Sequence, residues 1–378
     1  MSLNLAVCIP AYNEPNITDC LNSLAKCQKP SNNLLIVLVV NSGENESDNI
    51  LSQNNETILE AKNWIPNKPD WIDIETINLT SVDRKIAGVG NARKVAMDAA
   101  SKKFTDKKNT VLICFDADCT CSENYLTEIE RTFSKPKIDA ASIYFEHEIN
   151  ATLHEIIDYE LFLRYHIQSL KHINYPYAIH TIGSSMAIRA NTYHAFGGMN
   201  QRKAGEDFYF LHKIIPYRNV AEITKCTVYA SNRSSDRVPF GTGHAVEKHK
   251  QSVCKTYYTY HPNLYLYAGR LVELFRDMNS SKIDTLPKPL KSFLDNEQFD
   301  SVLSNFKKQC KTPEQLKQFL MRWLNGFRML KLIHYLRDTE QINVPINEAV
   351  TLFWQHKFHQ KLNLSNYEWL LKFRKLEK

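Results

Sequence analysis

The chain reads as an α/β protein: a doubly wound, mostly parallel sheet in its larger first part, followed by a helical C-terminal domain. Three observations predict this. Short apolar blocks alternate with amphipathic segments up to residue 116, the rhythm of parallel strands joined by crossover helices. The block Thr110-Val111-Leu112-Ile113-Cys114-Phe115 is unbroken, as in a strand covered on both faces, and it ends on Asp116-Ala117-Asp118. From about Ala245 no such block recurs, and helical stretches punctuated by Pro287, Pro289, Pro313 and Pro345 take over. The expected domains are residues 1–245 and 246–378.

Taken in order, Leu3–Pro10 is the first strand and proline closes its ladder. Asn16–Lys26 is a helix with Ile17, Leu21 and Leu24 on one face. Leu34–Val40 is the second strand, Asp48–Trp64 a helix, and Ile72–Leu79 an alternating strand. Gly90–Lys103 is a helix carrying Val95, Met97, Ala99 and Ala100. After the strand that ends at Asp116 come a strand at Ala140–Glu146 and a helix over Leu153–Lys171, with Ile156, Ile157, Tyr159, Glu160, Leu163 and Ile167 on its inner stripe. Asp207 should stand at the start of a helix over Phe208–Ile214, where a carboxylate suits the helix dipole and an N-cap role is the plain structural alternative. Three further helices are expected at Tyr257–Met278, Leu316–Leu336 and Asn347–His359. Trp323, Phe327, Leu330 and Ile333 recur at helical spacing and read as bundle core.

Composition narrows the classes. At 378 residues with 43% hydrophobic residues, the chain has ample material for two folded domains. Leu34–Val40, the longest strong apolar run, falls well short of the roughly 20 residues that a bilayer requires. No basic segment precedes the first strand, so no signal peptide is expected. Nine cysteines, with no CxxC pair, point to reduced thiols and a cytoplasmic setting. The net charge of +6 is uneven: from Ala245 onward there are 22 Lys/Arg against 13 Asp/Glu, so the remainder is slightly acidic. A basic last third is suited to peripheral contact with the inner face of an anionic membrane, or to a solvated helical surface. Nucleic acid is not expected as a partner, because no basic stripe carries interleaved aromatics.

The chemistry-bearing segments cluster at strand ends. Ligands in open α/β sheets bind beyond the carboxyl ends of the strands. Cys8-Ile9-Pro10-Ala11-Tyr12-Asn13-Glu14 closes the first strand, Val39-Val40-Asn41-Ser42-Gly43 the second, and Asp116-Ala117-Asp118 the later one. Two carboxylates at such an edge are costly without a positive partner, and a hard divalent cation bridging to a diphosphate is the natural candidate. Gly88-Val89-Gly90-Asn91-Ala92-Arg93 opens a helix whose N-terminus can attract anions, with Arg93 as an added cation.

These segments occur in order with Ile182-Gly183-Ser184-Ser185-Met186-Ala187-Ile188-Arg189, with Phe196-Gly197-Gly198-Met199 and with Ala204-Gly205-Glu206-Asp207. Together they resemble the family 2 glycosyltransferases of the GT-A fold, over about residues 3–245. The resemblance implies transfer of a sugar from a nucleotide-sugar donor to a hydroxyl-bearing acceptor, with Mn²⁺ or Mg²⁺ as cofactor. It implies that Pro10, Ala11, Tyr12, Asn13, Glu14 and Asn41 line the nucleotide-sugar, that Arg93 lies near the nucleotide, that Asp116 meets ribose or metal, and that Asp118 ligates the metal. Asp207, with Glu206 as the less favoured choice, becomes the general base that takes the acceptor proton, and direct displacement inverts the anomeric centre.

Two departures bear on the substrate. Members of the family commonly carry two acids and Gly-Ser where this chain has Asn41-Ser42-Gly43, which leaves the nucleotide open. The Gln-x-x-Arg-Trp element of processive polysaccharide synthases is absent, which favours single-sugar transfer, as in surface-glycan biosynthesis. In its place lies Asn232-Arg233-Ser234-Ser235-Asp236-Arg237-Val238-Pro239-Phe240-Gly241-Thr242-Gly243-His244. Arg233 and Arg237 could clamp the diphosphate, the glycines would allow a lid, and His244 could complete the metal site. Two alternatives stand beside this reading: a retaining GT-A transferase making a glycosylated small acid, and a non-catalytic nucleotide-binding regulator.

Overall fold

The computed structural model describes residues 2–83, 85–150, 152–202, 205–232, 256–277, 283, 285–340 and 343–378. Arg233, Arg237 and His244 therefore lie outside the described residues. Contacts divide the chain into two units: Met1–Asn150 with His180–Lys248 and Glu377–Lys378, and Ala151–Ile179 with His249–Leu376. The boundary expected at 245/246 left residues 151–179 with the sheet, whereas this division groups them with the helices.

The first unit is built on an eight-stranded sheet. Its strands are β1 (Asn4–Ala11), β2 (Leu34–Gly43), β3 (Ile72–Val82), β4 (Thr110–Cys114), β5 (Thr120–Cys121), β6 (Ala140–His147), β7 (Met186–Arg189) and β8 (Val220–Ala230), in the spatial order β3-β2-β1-β4-β7-β6-β8-β5. β3, β2, β1 and β4 pair in parallel, and β1 aligns Cys8 with both Val37 and Cys114. β4 is wholly buried and β1 nearly so, as strands covered on both faces must be, whereas β3 at the sheet margin is mostly half-exposed. β7 runs antiparallel to both β4 and β6, so the sheet is mixed at this point, while β6 and β8 are parallel.

Among the described residues, the α-helices of this unit are α1 (Ile17–Ala25), α2 (Asp48–Trp64), α3 (Val89–Lys103), α4 (Tyr125–Phe133), α6 (Ala190–Ala195) and α7 (Glu206–Ile214), while α5 (His154–His172) belongs to the other unit. Arg189, which the sequence presents within a candidate motif, is 4% exposed and structural. Its guanidinium donates to the carbonyls of Ile138 (2.6 Å), Lys108 (2.7 Å) and Phe133 (2.5 Å), and so satisfies chain ends that lack ladder partners.

The second unit contains α5, α8 (Pro262–Asp277), α9 (Lys288–Asn296), α10 (Phe299–Gln309), α11 (Pro313–Trp323), α12 (Gly326–Thr339), α13 (Ile346–Phe358) and α14 (Asn366–Glu377). Two expectations are corrected here. The helix expected over Leu316–Leu336 is broken in two, because the Asn325 side chain accepts from the N–H groups of Phe327 and Arg328 and caps α12 as a new helix. Strands also do not vanish after residue 245: β9 (Tyr258–Thr259) pairs antiparallel with β10 (Val344–Pro345), and Pro262 then opens α8 four residues after that ladder begins. The inner stripe of α12 is Met329, Leu332, Ile333 and Leu336, while Phe327 and Leu330 are half-buried.

The core of this unit also holds charge. Glu160 and Arg164, one turn apart on α5, are fully buried, and Arg374 of α14 reaches the same carboxylate. Glu160 Oε1 accepts from Arg164 Nε at 2.8 Å and from Arg374 Nε at 2.8 Å, while Oε2 accepts from Arg374 Nη2 at 2.7 Å. Breaking a buried charge cluster by removing one member is far more costly than never building it. Glu160→Ala is therefore expected to lower stability by about 3–5 kcal/mol, read as a fall in the urea midpoint with unchanged slope.

Candidate active site

Three parallel strands bring the first group of candidate residues to one edge. β1 ends in the Pro10–Glu14 loop, with Pro10 opposite Val39 and Ala11 opposite Val40, so Asn41 emerges beside it. On the other flank Phe115 N–H donates to Cys8 O at 3.2 Å, and the chain then turns tightly, with Cys119 N–H donating to Asp116 O at 3.0 Å. Asp116 is half-exposed, Ala117 is buried and Asp118 is exposed.

Helix α2 holds the Pro10–Glu14 loop. Asn54 accepts from Asn13 N–H at 2.8 Å and donates to Asn41 O at 3.0 Å, while Thr57 and Gln53 donate to Glu14 O at 2.7 and 3.1 Å. Asn13 takes a left-handed conformation with φ 50°, which asparagine tolerates. Glu14 is buried, and its carboxylate accepts from Asn16 N–H at 3.2 Å. Tyr12 O–H donates to Glu46 Oε2 at 2.9 Å, and Gly43 N–H donates to Glu46 Oε1 at 3.3 Å. Sequence reasoning passed over Asn54, Thr57 and Glu46. The first two look like ordinary positions on an amphipathic helix. The available signal for Glu46 was an acid placed shortly after a strand-end Asn-Ser-Gly.

Arg93 joins this edge to the second group. It comes from the first turns of α3, is 2% exposed, and makes an ion pair with Asp116 at 2.5 Å and another with Glu206. Burial works against the guanidinium charge, but Asp116 and Glu206 together hold its pKa above the ordinary arginine value. Gly183 makes room for it, because a Cβ there would lie 2.7 Å from both terminal guanidinium nitrogens. The Gly88-x-Gly90 turn serves close packing: a Cβ on Gly90 would come within 2.8 Å of Asn200 O and closer still to Arg202 O. The start of α3 thus rests on the segment leading into α7, with Gln201 donating to Asn91 at 2.7 Å.

α7 begins at Glu206, two residues before the expected Phe208, after Gly205 in the left-handed conformation (φ 68°). Gly205 occupies the N-cap position and no side chain caps the helix there. Burial pushes the Glu206 carboxyl up to about 7, against the opposing pull of Arg93. Burial likewise raises the Asp207 carboxyl, offset by Arg93 and by the N–H groups of Phe208 and Gly183, with Phe208 N–H donating to it at 2.7 Å. Asp116, Arg93, Glu206 and Asp207 therefore form one charged cluster. Asp207 is half-buried, and it is Glu206 that pairs with Arg93.

Asp118 offers an outward carboxylate at the β4 end. Among the described residues no group of three or more His, Cys, Asp or Glu side chains converges as a metal site. Mg²⁺-type cations are held through one or two carboxylates and the substrate's own phosphates, so an exposed acid at this position is compatible with such an ion.

The description Glycosyl transferase family 2 matches residues 6–194, a span that includes Arg93, Asp116, Asp118 and Gly183 and stops short of Glu206. No curated protein sequence matches the chain. Among solved structures, S. aureus TarS 1-349 in complex with UDP-GlcNAc is similar with 12% identity, covering 86% of this chain and 92% of that one, at a TM-score of 0.45. The mannosyltransferase PcManGT from Pyrobaculum calidifontis in complex with GDP-Man and Mn²⁺ is similar with 12% identity over 90% of this chain and 89% of that one, at a TM-score of 0.42. GalNAc-T7 with UDP, GalNAc and Mn²⁺ is similar with 14% identity over 65% and 48% of the two chains, at a TM-score of 0.39.

Proposed function

The chain belongs to glycosyl transferase family 2 and is a nucleotide-sugar-dependent glycosyltransferase of the GT-A fold, and from that premise we propose that it is an inverting enzyme that moves one sugar to an acceptor hydroxyl. The observation that carries this reading is Arg93, which ties the strand-end acid Asp116 to Glu206 at the start of α7. This bridge supports reading the donor-side and acceptor-side acids as parts of one site.

On the donor side, the Pro10–Glu14 loop and Asn41 form the wall for base and ribose. On the acceptor side, Asp207 takes the proton of the attacking hydroxyl while the new bond forms at the anomeric carbon and the bond to the diphosphate breaks on the opposite face. A carboxylate with a raised pKa is a stronger base, which suits Asp207 to this work. Glu206 is committed to Arg93 and serves to position it. Asp118 would hold Mn²⁺ or Mg²⁺, with His244 beyond the described residues as a further ligand. When bound, the ion supplies Lewis-acid stabilisation of the leaving diphosphate. Arg233 and Arg237 remain proposed diphosphate contacts. The sequence lacks the Gln-x-x-Arg-Trp element of processive synthases, which supports single-sugar transfer, with surface-glycan biosynthesis as the proposed setting. The basic last third supports contact with an anionic membrane face, and among the described residues no helix is long and apolar enough to cross a membrane.

The test is an assay across UDP-, GDP- and dTDP-sugars with Mn²⁺ or Mg²⁺, comparing wild type with Asp118→Ala. Lewis-acid stabilisation of several kcal/mol corresponds to a loss of about 10²-fold or more in the variant, and unchanged activity would remove the metal role. The anomeric configuration of the product, read by NMR, should be opposite to that of the donor. Retention would transfer the assignment to a retaining mechanism in which Asp207 is not a required base.

A further inference from the structure

Outside the charged cluster, two thiols face each other. Cys27 follows the end of α1, and Cys121 lies in β5, three residues beyond Asp118. Their sulfurs are 3.5 Å apart, although the residues are 94 positions apart in the chain. The contact is set by its surroundings: Cys27 Sγ also meets Ser23 O at 3.5 Å and Ser122 O at 3.8 Å, and Ser23 Oγ lies 3.8 Å from Cys121 Sγ. Among the described cysteines this is the one thiol pair in contact. Cys121 is half-buried and the more exposed of the two, while Cys27 is 5% exposed.

We propose that Cys27 and Cys121 are a dithiol modification site, converted by a small hydroperoxide into an intramolecular disulfide that ties the end of α1 to β5. The sulfurs must close from contact distance to about 2 Å, a movement within reach of side-chain rotation when the elements already hold them face to face. One sulfur, as thiolate, attacks a peroxide oxygen. The O–O bond breaks, and a sulfenic acid and one water result. The second thiol then attacks that sulfur, the S–S bond forms, and a second water leaves. Two thiols and one hydrogen peroxide give one disulfide and two waters, with two electrons passing from sulfur to oxygen.

The remaining buried cysteines are poorer candidates. Burial lifts the thiols of Cys8, Cys20, Cys114, Cys119 and Cys226, which suppresses the reactive thiolate. In the pair, the shared hydrogen bond draws the Cys27 thiol down and, with burial, holds the Cys121 thiol up, so Cys27 is the partner that carries the thiolate. The site also has a place in the fold. Cys20, also on α1, touches Asp116 O through its sulfur at 3.7 Å, so a bond from the end of α1 to β5 would close over the Asp116–Cys119 turn.

The experiment uses the full chain under native conditions and does not depend on the transferase reading. Protein is treated with one equivalent of hydrogen peroxide, remaining thiols are blocked with N-ethylmaleimide, and peptides are mapped without reduction. A Cys27–Cys121 linked peptide should dominate, two hydrogens lighter than its thiol form and cleaved by dithiothreitol. In Cys121→Ser the first phase of thiol loss should slow about tenfold, while Cys310→Ser should leave it unchanged. Recovery of both Cys27 and Cys121 as alkylated thiols, with other cysteines oxidised first, would overturn the proposal. The wild-type map decides the matter even if a variant fails to fold.

Discussion

Asp207→Asn is expected to lower kcat by about 10²–10⁴-fold, with nucleotide affinity within about threefold of wild type. The exchange keeps the shape and the hydrogen-bond acceptor for Phe208 N–H but removes the basic lone pair. A loss confined to kcat is the signature of a group whose work is done in the transition state. The pH profile gives an independent reading. Burial raises the Asp207 carboxyl above its ordinary value, so activity should fall as pH drops through a midpoint above the usual aspartate range. The acid limb should disappear from the residual activity of the variant. A variant that loses nucleotide affinity in step with kcat would instead mark Asp207 as a structural brace for α7.

Arg93→Met should be the most damaging single change to the sheet unit, lowering stability by about 3–5 kcal/mol and abolishing turnover. Methionine fills much of the volume but leaves Asp116 and Glu206 without the cation they share. Arg93→Lys should rescue little, because one ammonium cannot replace a planar fork aimed at two carboxylates. Chemical denaturation and thermal melting of the three proteins measure the stability effect. The pH dependence follows from Glu206. Its folded-state pKa of about 7 lies above the ordinary glutamate value of 4.5, so the folded state holds the proton more tightly than the unfolded one. Stability therefore declines as pH rises between those two values. Glu206→Gln should flatten that slope, and a slope unchanged in this variant would place the titrating group elsewhere.

The parts of the fold legible in the sequence are those whose residues face the same environment throughout. β1, β2 and β4 are apolar on both faces, and their ends marked the edge where the candidate residues gather without need of distant contacts. Asp116 and Asp118 were visible because acids directly after such a run have few structural uses. The parts not legible depend on partners remote in sequence. Gly183 reads as a turn glycine until the Arg93 guanidinium is found in the space its missing side chain leaves. Glu160 appears as one more position on an amphipathic helix, because its partner Arg374 is 214 residues away. The break at Asn325 was hidden by apolar periodicity that continues across it, and only the side-chain cap reveals that one helix has ended. The reversal of β7 left no trace either, since four buried residues look the same in either direction.

Arg93 is a single cation answering to two anions, and that has a thermodynamic consequence. When Glu206 takes up a proton its hold on the guanidinium weakens, and Asp116 is left with the larger share of it. Whatever binds through Asp116 must then sense the ionisation of α7, and by reciprocity the ionisation of α7 must sense what has bound. If the proposed nucleotide site includes Asp116, the change of nucleotide affinity with pH and the displacement of a titration midpoint by nucleotide are one coupling free energy, approached from opposite ends.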